Sequence, residues 1–535
     1  LCLLHYFIVN INLLVNPLKW DKKQLTLSII SSIFRKSEKR KVGLYFNMSN
    51  IYFPLQKKEA KIKGEKTIAD YAKELNIQID MPCGGEGICG KCRIKVEGKV
   101  SKRNEIEKRH DLGICRLACQ TIPLGETYVI FSEATAKRKS FIPRTIKSDG
   151  KKGYSVALDL GTTTLAAYLI DNKTGELLRE NAKLNPQRQY GEDVITRISL
   201  ANERVYEVLI DGINDLLKEL LNEERKPDTI CVVGNPTMHH FFLGYDVKSL
   251  GRAPYKPVSK KPELKTARDV GLNYGNTVYT PPIIAGFIGS DILAGAIASE
   301  LFMSKEPAML IDIGTNGEII ISDGEQLVAA SCAMGPAFEG SKIKYGSIAK
   351  PGAIERVRIV DNKVFYSSIE DGEARSICGS GIVDIVAELY RNGKIRESGA
   401  FMDKKKEFKI SDNVSFSRKD ISEVQLAKAA MQSAQEILLG VLGLSPKNLK
   451  KIYIAGSFGS FIDKESARRI NLIPNIALDK VESIGNAAGE GAREMLISKR
   501  MREMAEELAG RITYIELLEK QYKFNDRFIK NMYLH

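Results

Sequence analysis

Cysteine is scarce in this chain, nine in 535 residues, which excludes a disulfide scaffold. No uninterrupted apolar run reaches the roughly 20 residues that a spanning helix needs. No G-x4-G-K-[ST] phosphate loop occurs. The net charge of +14 is not matched by a basic stripe with interleaved aromatics, so neither a nucleic-acid nor a membrane partner is expected. Part of that excess is local: residues 1–47 hold Lys19, Lys22, Lys23, Arg35, Lys36, Lys39, Arg40 and Lys41 against Asp21 and Glu38. An ordinary apolar share and interspersed acids and bases exclude a wholly disordered chain and point to a folded protein of about three domains.

Position 1 is Leu and the first Met is Met48. The opening run LCLLHYFIVNINLLV is broken by His5, Asn10 and Asn12, and its positive charges follow the apolar stretch instead of preceding it. Residues 1–47 are therefore expected to be a spurious or disordered extension, with the working protein starting at Met48.

Residues 48–133 read as a small separate module. IYFPLQ and EAKIKG have strand character, and TIADYAKELNIQ has helical spacing with Thr67 as its N-cap. Next comes MPCGGEGICGKC, where Cys83, Cys89 and Cys92 form C-x5-C-x2-C among Gly84, Gly85, Gly87 and Gly90. A loop that wraps an iron–sulfur cluster turns tightly and aims backbone N–H groups at sulfur, which glycine permits at positive φ. A zinc site usually brings two C-x2-C pairs, and only Cys89 and Cys92 form one. The pattern indicates a 2Fe–2S cluster. The longer first loop together with RLACQ resembles the adrenodoxin-like branch of β-grasp ferredoxins. That resemblance makes Cys119 the fourth ligand and Cys115 a neighbour. TYVIFSE at 127–133 is the closing strand.

Residues 134–153 hold seven basic residues against Asp149, with Pro143, Gly150 and Gly153, a tether composition. Beyond them, 154–535 alternates apolar strands with amphipathic helices, an α/β pattern. It contains a near-repeat: VALDLGTTTLAAYLID (156–171) and MLIDIGTNGEIIISD (309–323). Each reads as strand, Asp-x-Gly-Thr turn, strand. The turn is not a G-x-G-x-x-G loop, yet it offers backbone N–H and hydroxyl groups to phosphate while its Asp faces Mg²⁺ or its waters.

The pair resembles the phosphate-1 and phosphate-2 loops of the acetate kinase, sugar kinase, heat-shock chaperone and actin superfamily. The implied fold is a β-grasp 2Fe–2S ferredoxin domain (α+β) followed by an actin-like, duplicated RNase H-like α/β ATPase domain in two lobes. KIYIAGSFGSF (451–461) matches the superfamily's adenosine strand, with Gly456, Ser457 and Gly459 letting the backbone approach ribose and adenine. CGSGIVD (378–384) opens a helix whose N–H groups at Gly379, Ser380 and Gly381 either receive a phosphate or mark a plain helix start at a hinge.

A β-grasp ferredoxin fused to such an ATPase resembles the reductive activators of corrinoid-dependent methyltransferase systems. The family's segments appear as NPQRQYGEDVITRI (185–198), GNPTMHHFFLG (234–244), SCAMGPAFEG (331–340), ICGSGIVDIVAELYRNGKI (377–395), DISEVQLAKAAMQSAQEILL (420–439) and GNAAGEGAR (485–493). The resemblance implies ATP-dependent one-electron reduction of a corrinoid protein's inactive Co(II) to Co(I), with a 2Fe–2S cluster, ATP and Mg²⁺ as cofactors. It further implies a low-potential electron donor (ferredoxin, flavodoxin or reductase), a homodimer and a cytoplasmic location. On this resemblance Cys83, Cys89, Cys92 and Cys119 are expected to hold the cluster. Asp159, Gly161, Thr162 and Thr163 form one phosphate hairpin, and Asp312, Gly314, Thr315 and Asn316 the other. Asp291 is either the water-positioning acid or an acid satisfying its helix dipole, and Glu339 is a second candidate. His239 and His240 are expected to be structural or hinge residues; Cys231, Cys332 and Cys378 are expected to be buried packing thiols. A middle domain of some longer relatives is expected to be missing. The rival readings are an activator of 2-hydroxyacyl-CoA dehydratases, a small-molecule kinase with a ferredoxin appended, and a ferredoxin with a nucleotide-sensing domain.

Overall fold

The computed structural model describes residues 49–131 and 148–535, apart from Gln78, Asp80, Pro82, Gly84, Lys91, Asp111, Glu192, 222–225, Lys404, Ser457 and Ser460. The expected extension 1–47 and most of the basic tether thus lie outside the described residues, as do Gly84 and Ser457. The chain divides between Phe131 and Ser132 into two compact units.

In the first unit, β1 (Asn50–Phe53) pairs antiparallel with β2 (Lys58–Lys61). Helix α1 (Ile68–Glu74) starts where Thr67 predicts it: Thr67 Oγ1 accepts the Asp70 N–H and the Asp70 carboxylate accepts the Thr67 N–H, a capping box. β3 (Arg93–Val100), the short α2 (Glu105–Lys108), β4 (Arg116–Leu117) and β5 (Pro123–Ile130) complete it. The sheet order is β2-β1-β5-β3-β4, with β1 and β5 parallel, and α1 buries Ile68, Tyr71 and Ala72 in the same core as Ile51, Phe53, Ile94 and Val129. This is the β-grasp arrangement. The closing strand begins earlier than expected, at Pro123, because β3 is long enough to pair back to Val100.

The second unit contains the same plan twice. β6 (Tyr154–Leu160), β7 (Thr164–Asp171) and β8 (Leu177–Leu184) form an antiparallel meander. After α3 (Val194–Ser199) and α4 (Glu203–Leu221), β9 (Thr229–Gly234) lies parallel to β6. Helix α5 (Pro236–Leu243), β10 (Glu263–Thr266), β11 (Thr277–Thr280) and α6 (Ser290–Ala298) follow, giving the order β10-β11-β9-β6-β7-β8. The second lobe repeats the meander in β12 (Ala308–Ile313), β13 (Asn316–Ser322) and β14 (Leu327–Ala333). It then inserts β15 (Ala353–Val360), β16 (Lys363–Ser368), β17 (Ser376–Ile377), α7 (Gly379–Arg391), β18 (Glu407–Lys409), β19 (Ser415–Ser417) and α8 (Arg418–Val441). β20 (Lys451–Ala455) is parallel to β12; α9 (Lys464–Arg469), β21 (Val481–Gly485), α10 (Ala487–Ile497), α11 (Lys499–Arg511), β22 (Ile512–Tyr514) and α12 (Phe524–Asn531) end the chain. The sheet order is β21-β20-β12-β13-β14-β22.

One core joins the two sheets, containing Ala157 and Ile170 from the first and Leu310 and Ile320 from the second. At its centre α6 crosses α10 so closely that a Cβ at Gly491 would lie 2.0 Å from the Ala294 carbonyl oxygen. Only glycine permits that approach, which brings the N-termini of both helices to the cleft between the hairpins. Residues 148–153, assigned to the tether by composition, belong to this unit. The Asp149 N–H bonds Ile497 O at 2.9 Å, and the Lys499 N–H bonds Asp149 Oδ2 at 2.8 Å.

Candidate functional site

Four of the cysteines form two pairs in the first unit. Cys92 and Cys119 Sγ atoms lie 3.3 Å apart, and the Cys83 and Cys89 thiols hydrogen-bond one another. Gly85, Gly87 and Gly90 hold φ of 99°, 77° and 62°, the left-handed region that their spacing implies. As a result N–H groups converge on sulfur. Cys83 is pulled down to about 6 by the Cys89 N–H and thiol, then by the N–H groups of Gly85 and Gly87, against desolvation. Gln120 Nε2 donates to Cys119 Sγ at 3.5 Å, and burial pushes Cys92 up to about 12. Among the described residues no three His, Cys, Asp or Glu side chains converge as they do on a single metal ion. Thiols in two pairs within a nest of N–H donors fit a two-iron cluster, two thiolates to each iron. Cys115 is buried nearby; its N–H bonds Leu112 O and its carbonyl takes Arg103 Nη2.

The segment carrying Cys119 is anchored by a buried ion pair that the sequence reading missed. Arg116 donates from Nε and Nη2 to the two oxygens of Glu107, which also accepts the Leu117 N–H at 3.0 Å. Burial works to raise the Glu107 carboxyl, but these bonds hold it below its ordinary value.

In the second unit the two Asp-x-Gly-Thr turns face each other across a cavity of about 460 Å³. Asp159, Gly161, Thr162, Thr163, Asp291, Asp312, Gly314, Thr315, Asn316, Glu339 and Gly456 all line it. Gly379, Ser380, Gly381 and Gly459 do not; the first three open α7, where a Cβ at Gly379 would meet the Phe338 carbonyl oxygen at 2.3 Å. Gly456, at φ 91°, follows β20 and lies so near Asp312 that a Cβ would stand 2.8 Å from Oδ1.

Charge dominates this cavity. Burial raises Asp159 to about 6, with the Asn486 amide opposing. Burial, and then Asp159, raise Asp312 to about 7. Burial, and then Asp312, raise Asp291 to about 8. Asp291 Oδ1 accepts the Ile292 N–H at 2.9 Å in the first turn of α6, whose N-cap is Gly289, while facing the other acids. A fourth acid, Glu318 on β13, is raised well above its ordinary value by burial and then by Asp291 and Asp312. Sequence reading passed over Glu318, although a lone acid in the apolar strand NGEIIIS was its signal. Four carboxyls, Asp159, Asp291, Asp312 and Glu318, thus line one cavity and repel one another there, although no three of them converge as they would on a single ion.

Several unanticipated polar residues hold the first hairpin. Asn235 Nδ2 donates to Thr162 Oγ1 (2.9 Å), buried Arg197 Nη2 to Thr162 O (2.6 Å) and Asn185 Nδ2 to Gly161 O (3.0 Å). Asn486, the N-cap of α10, donates to Asp159 Oδ2 (2.7 Å) and to the Tyr168 hydroxyl (2.9 Å). All four lie in the segments that carry the family resemblance. Away from the cleft, His240 is a satisfied core residue: its Nε2 accepts the Val258 N–H, leaving Nδ1–H for Pro236 O. His239 is buried with neither ring nitrogen bonded, and burial lowers it to about 3. Cys231, Cys332 and Cys378 are buried as expected.

Known proteins show the same organisation. A profile described as the 2Fe-2S iron-sulfur cluster binding domain matches residues 54–124. One described as the RACo middle region matches 154–304, and one described as the C-terminal domain of RACo, the ASKHA domain, matches 306–535. The region named as the middle one is the lobe that carries the first hairpin. The corrinoid activation enzyme RamQ of Eubacterium limosum is 30% identical over 588 residues, covering 90% of this chain and 98% of that protein. The [Co(II) methylated amine-specific corrinoid protein] reductase of Methanosarcina barkeri is 26% identical over 401 residues, covering 68% and 74%. A solved structure, the reductive activator for corrinoid, iron-sulfur protein, superposes with a TM-score of 0.68 at 26% identity, covering 91% of this chain and 98% of that one. With all three regions present in order and a relative matched along nearly its whole length, this chain belongs to the RACo family, which joins a 2Fe–2S domain to an actin-like ASKHA domain.

Proposed function

We propose that this chain reactivates a corrinoid protein, passing one electron from a 2Fe–2S cluster to return inactive Co(II) to Co(I) in a step driven by ATP. The observation that carries the reading is the presence in one chain of a paired-cysteine loop and a cleft of twin Asp hairpins. The relatives' names, a corrinoid activation enzyme and a Co(II) corrinoid protein reductase, support it.

Cys83, Cys89, Cys92 and Cys119 are the cluster ligands in this reading. When bound, such a cluster supplies a one-electron couple near about −400 mV. The N–H groups of Gly85 and Gly87 and the Gln120 amide stabilise negative charge on sulfur. Asp159 and Asp312 hold Mg²⁺, Thr162, Thr163, Thr315 and Asn316 take phosphate oxygens through hydroxyl, amide and backbone N–H groups, and Gly161 and Gly314 keep the turns tight. Gly456, which lines the cleft, with Ser457 and Gly459 after it, lets the nucleoside approach the backbone, while Gly379, Ser380 and Gly381, outside the cavity, are the plain helix start at a hinge. Asp291 orients the attacking water. Each ~59 mV of uphill gap costs about 1.4 kcal/mol per electron, and nucleotide-dependent movement of the two lobes offsets it. The module 48–133 accepts its electron from a low-potential ferredoxin, flavodoxin or reductase, and the working unit is a homodimer. A cytoplasmic location belongs to the same reading, and among the described residues none of the eight cysteines forms a disulfide.

The test is the purified chain, reduced, with a corrinoid protein in the Co(II) state, following the Co(II) absorbance with ATP, ADP or neither. Loss of Co(II) that requires ATP supports the reading. Equal rates in all three would leave a ferredoxin with a nucleotide sensor.

A further inference from the structure

Glu339 enters the nucleotide cleft from a loop outside both hairpins. The loop leaves β14 and folds on itself through Glu339 N–H to Pro336 O (3.2 Å) and Gly340 N–H to Ala337 O (3.1 Å). It is braced behind by a glycine crossing: a Cβ at Gly340 would lie 2.3 Å from Ser347 N, and one at Gly346 would lie 2.1 Å from Gly340 O. From this braced tip the Glu339 carboxylate takes one hydroxyl from each lobe. Thr163 Oγ1 donates to Oε2 at 2.5 Å, and Thr315 Oγ1 donates to Oε1.

Those two hydroxyls belong to the turns read above as the phosphate loops. Each threonine has a single O–H to donate. A carboxylate and a phosphate edge offer a hydroxyl pair the same thing, two adjacent anionic oxygens. The same protons cannot serve both. A phosphate that enters must displace the carboxylate, and the two negative groups then repel within a cavity already lined by Asp159, Asp291, Asp312 and Glu318.

We propose that Glu339 is an internal stand-in for the terminal phosphate of the nucleotide. It clamps Thr163 and Thr315 together in the empty cleft and is expelled when phosphate takes their hydroxyls. The inference rests on the reading of this cleft as the ATP site. It also gives the expulsion somewhere to go. The neighbouring Phe338 ring stacks on Phe458 beyond β20 (centroids 5.3 Å apart, 14° between planes), and the Phe338 carbonyl abuts Gly379 at the start of α7. Moving Glu339 therefore shifts backbone that touches both elements beyond the cavity wall.

The experiment uses the full chain, with Glu339→Ala and Glu339→Gln beside the native protein. It measures Mg-ATP affinity calorimetrically, ATP hydrolysis, and amide hydrogen exchange in the 336–346 segment. Without the competing carboxylate, both variants should bind Mg-ATP about tenfold tighter, the equivalent of about 1.4 kcal/mol. Exchange at 336–346 should rise in the native chain when Mg-ATP is added, and should already be high in Glu339→Ala without nucleotide. The glutamine variant keeps the shape of the loop tip, so a folding defect in the alanine variant leaves the test intact. Unchanged or weaker ATP affinity in both variants overturns the proposal. So does loss of hydrolysis without a gain in affinity, which makes Glu339 a water-orienting residue. If the native chain binds Mg-ATP and Asp312→Asn abolishes that binding, the cleft reading stands whatever Glu339 does. If the native chain binds none, both fall.

Discussion

Replacing Asp312 by Asn should make the nucleotide-free second unit more stable while removing its function. Asp312 shares the cleft with Asp159, Asp291 and Glu318, and its carboxyl is raised from 3.8 to about 7 by burial and then by Asp159. A shift of about three units corresponds to at most ~4 kcal/mol at 1.36 kcal/mol per unit. Asp312 borders a water-accessible cavity and shares the repulsion with its neighbours, so screening reduces the recoverable part to ~1–2 kcal/mol. For a unit spanning Ser132–His535, at about 2.1 cal/mol/K of unfolding entropy per residue, that is roughly 1–2.5 °C in Tm. The sign follows from linkage. The folded unit keeps a proton that the unfolded chain releases near 3.8, so stability falls as pH rises from there through about 7. The stabilisation by Asn should therefore be full above pH 7, shrink below it, and vanish near pH 4. The assay is differential scanning calorimetry of both proteins from pH 5 to 8 without nucleotide or Mg²⁺, paired with ATP-dependent reduction of a Co(II) corrinoid protein. A variant less stable than the native chain at pH 8 refutes the electrostatic account. One that keeps full ATP-dependent cobalt reduction refutes Asp312 as a site residue.

Cys119→Ser should prevent normal cluster assembly while Cys115→Ser leaves iron and sulfide content near native; loss in the Cys115 variant alone reverses the assignment. Glu107→Gln leaves Arg116 buried without its carboxylate and should destabilise the first unit by roughly 3–5 kcal/mol, read as a lower urea midpoint of its transition. Asn486→Ala removes the donor shared by Asp159 and Tyr168 and should cost about 1–3 kcal/mol of stability together with weaker Mg-ATP binding; native affinity in that variant removes Asn486 from the site.

Local signals were legible wherever short-range physics decides the outcome. Thr67 and Asp70 stand three apart before an amphipathic run, so the cap of α1 could be read before any tertiary contact was known. The positive-φ turns at Gly85, Gly87 and Gly90 follow from three cysteines spaced too closely for an ordinary loop. The near-repeat located the two turns that face each other across the cleft, because an Asp-x-Gly-Thr turn is a local structure whose parts are consecutive.

Long-range pairings were not legible. Asn486 reaches Asp159 across 327 positions and Glu339 reaches Thr163 across 176, and neither residue carries a spacing that announces its partner. Glu318 read as one acid in an apolar strand until β12 and α6 placed Asp312 and Asp291 beside it. The six residues 148–153 had the composition of a tether, yet the Ile497 carbonyl and Lys499 N–H claim Asp149 for the second unit. Sequence by itself determined the chemistry on offer: a cysteine loop suited to a cluster, two acid-bearing turns suited to phosphate, and the order of the modules. Tertiary structure alone decided how the charges combine. Repulsion and shared hydrogen bonds act through space over a few ångströms, and only the packing of α6 against α10 brings the two hairpins within that range.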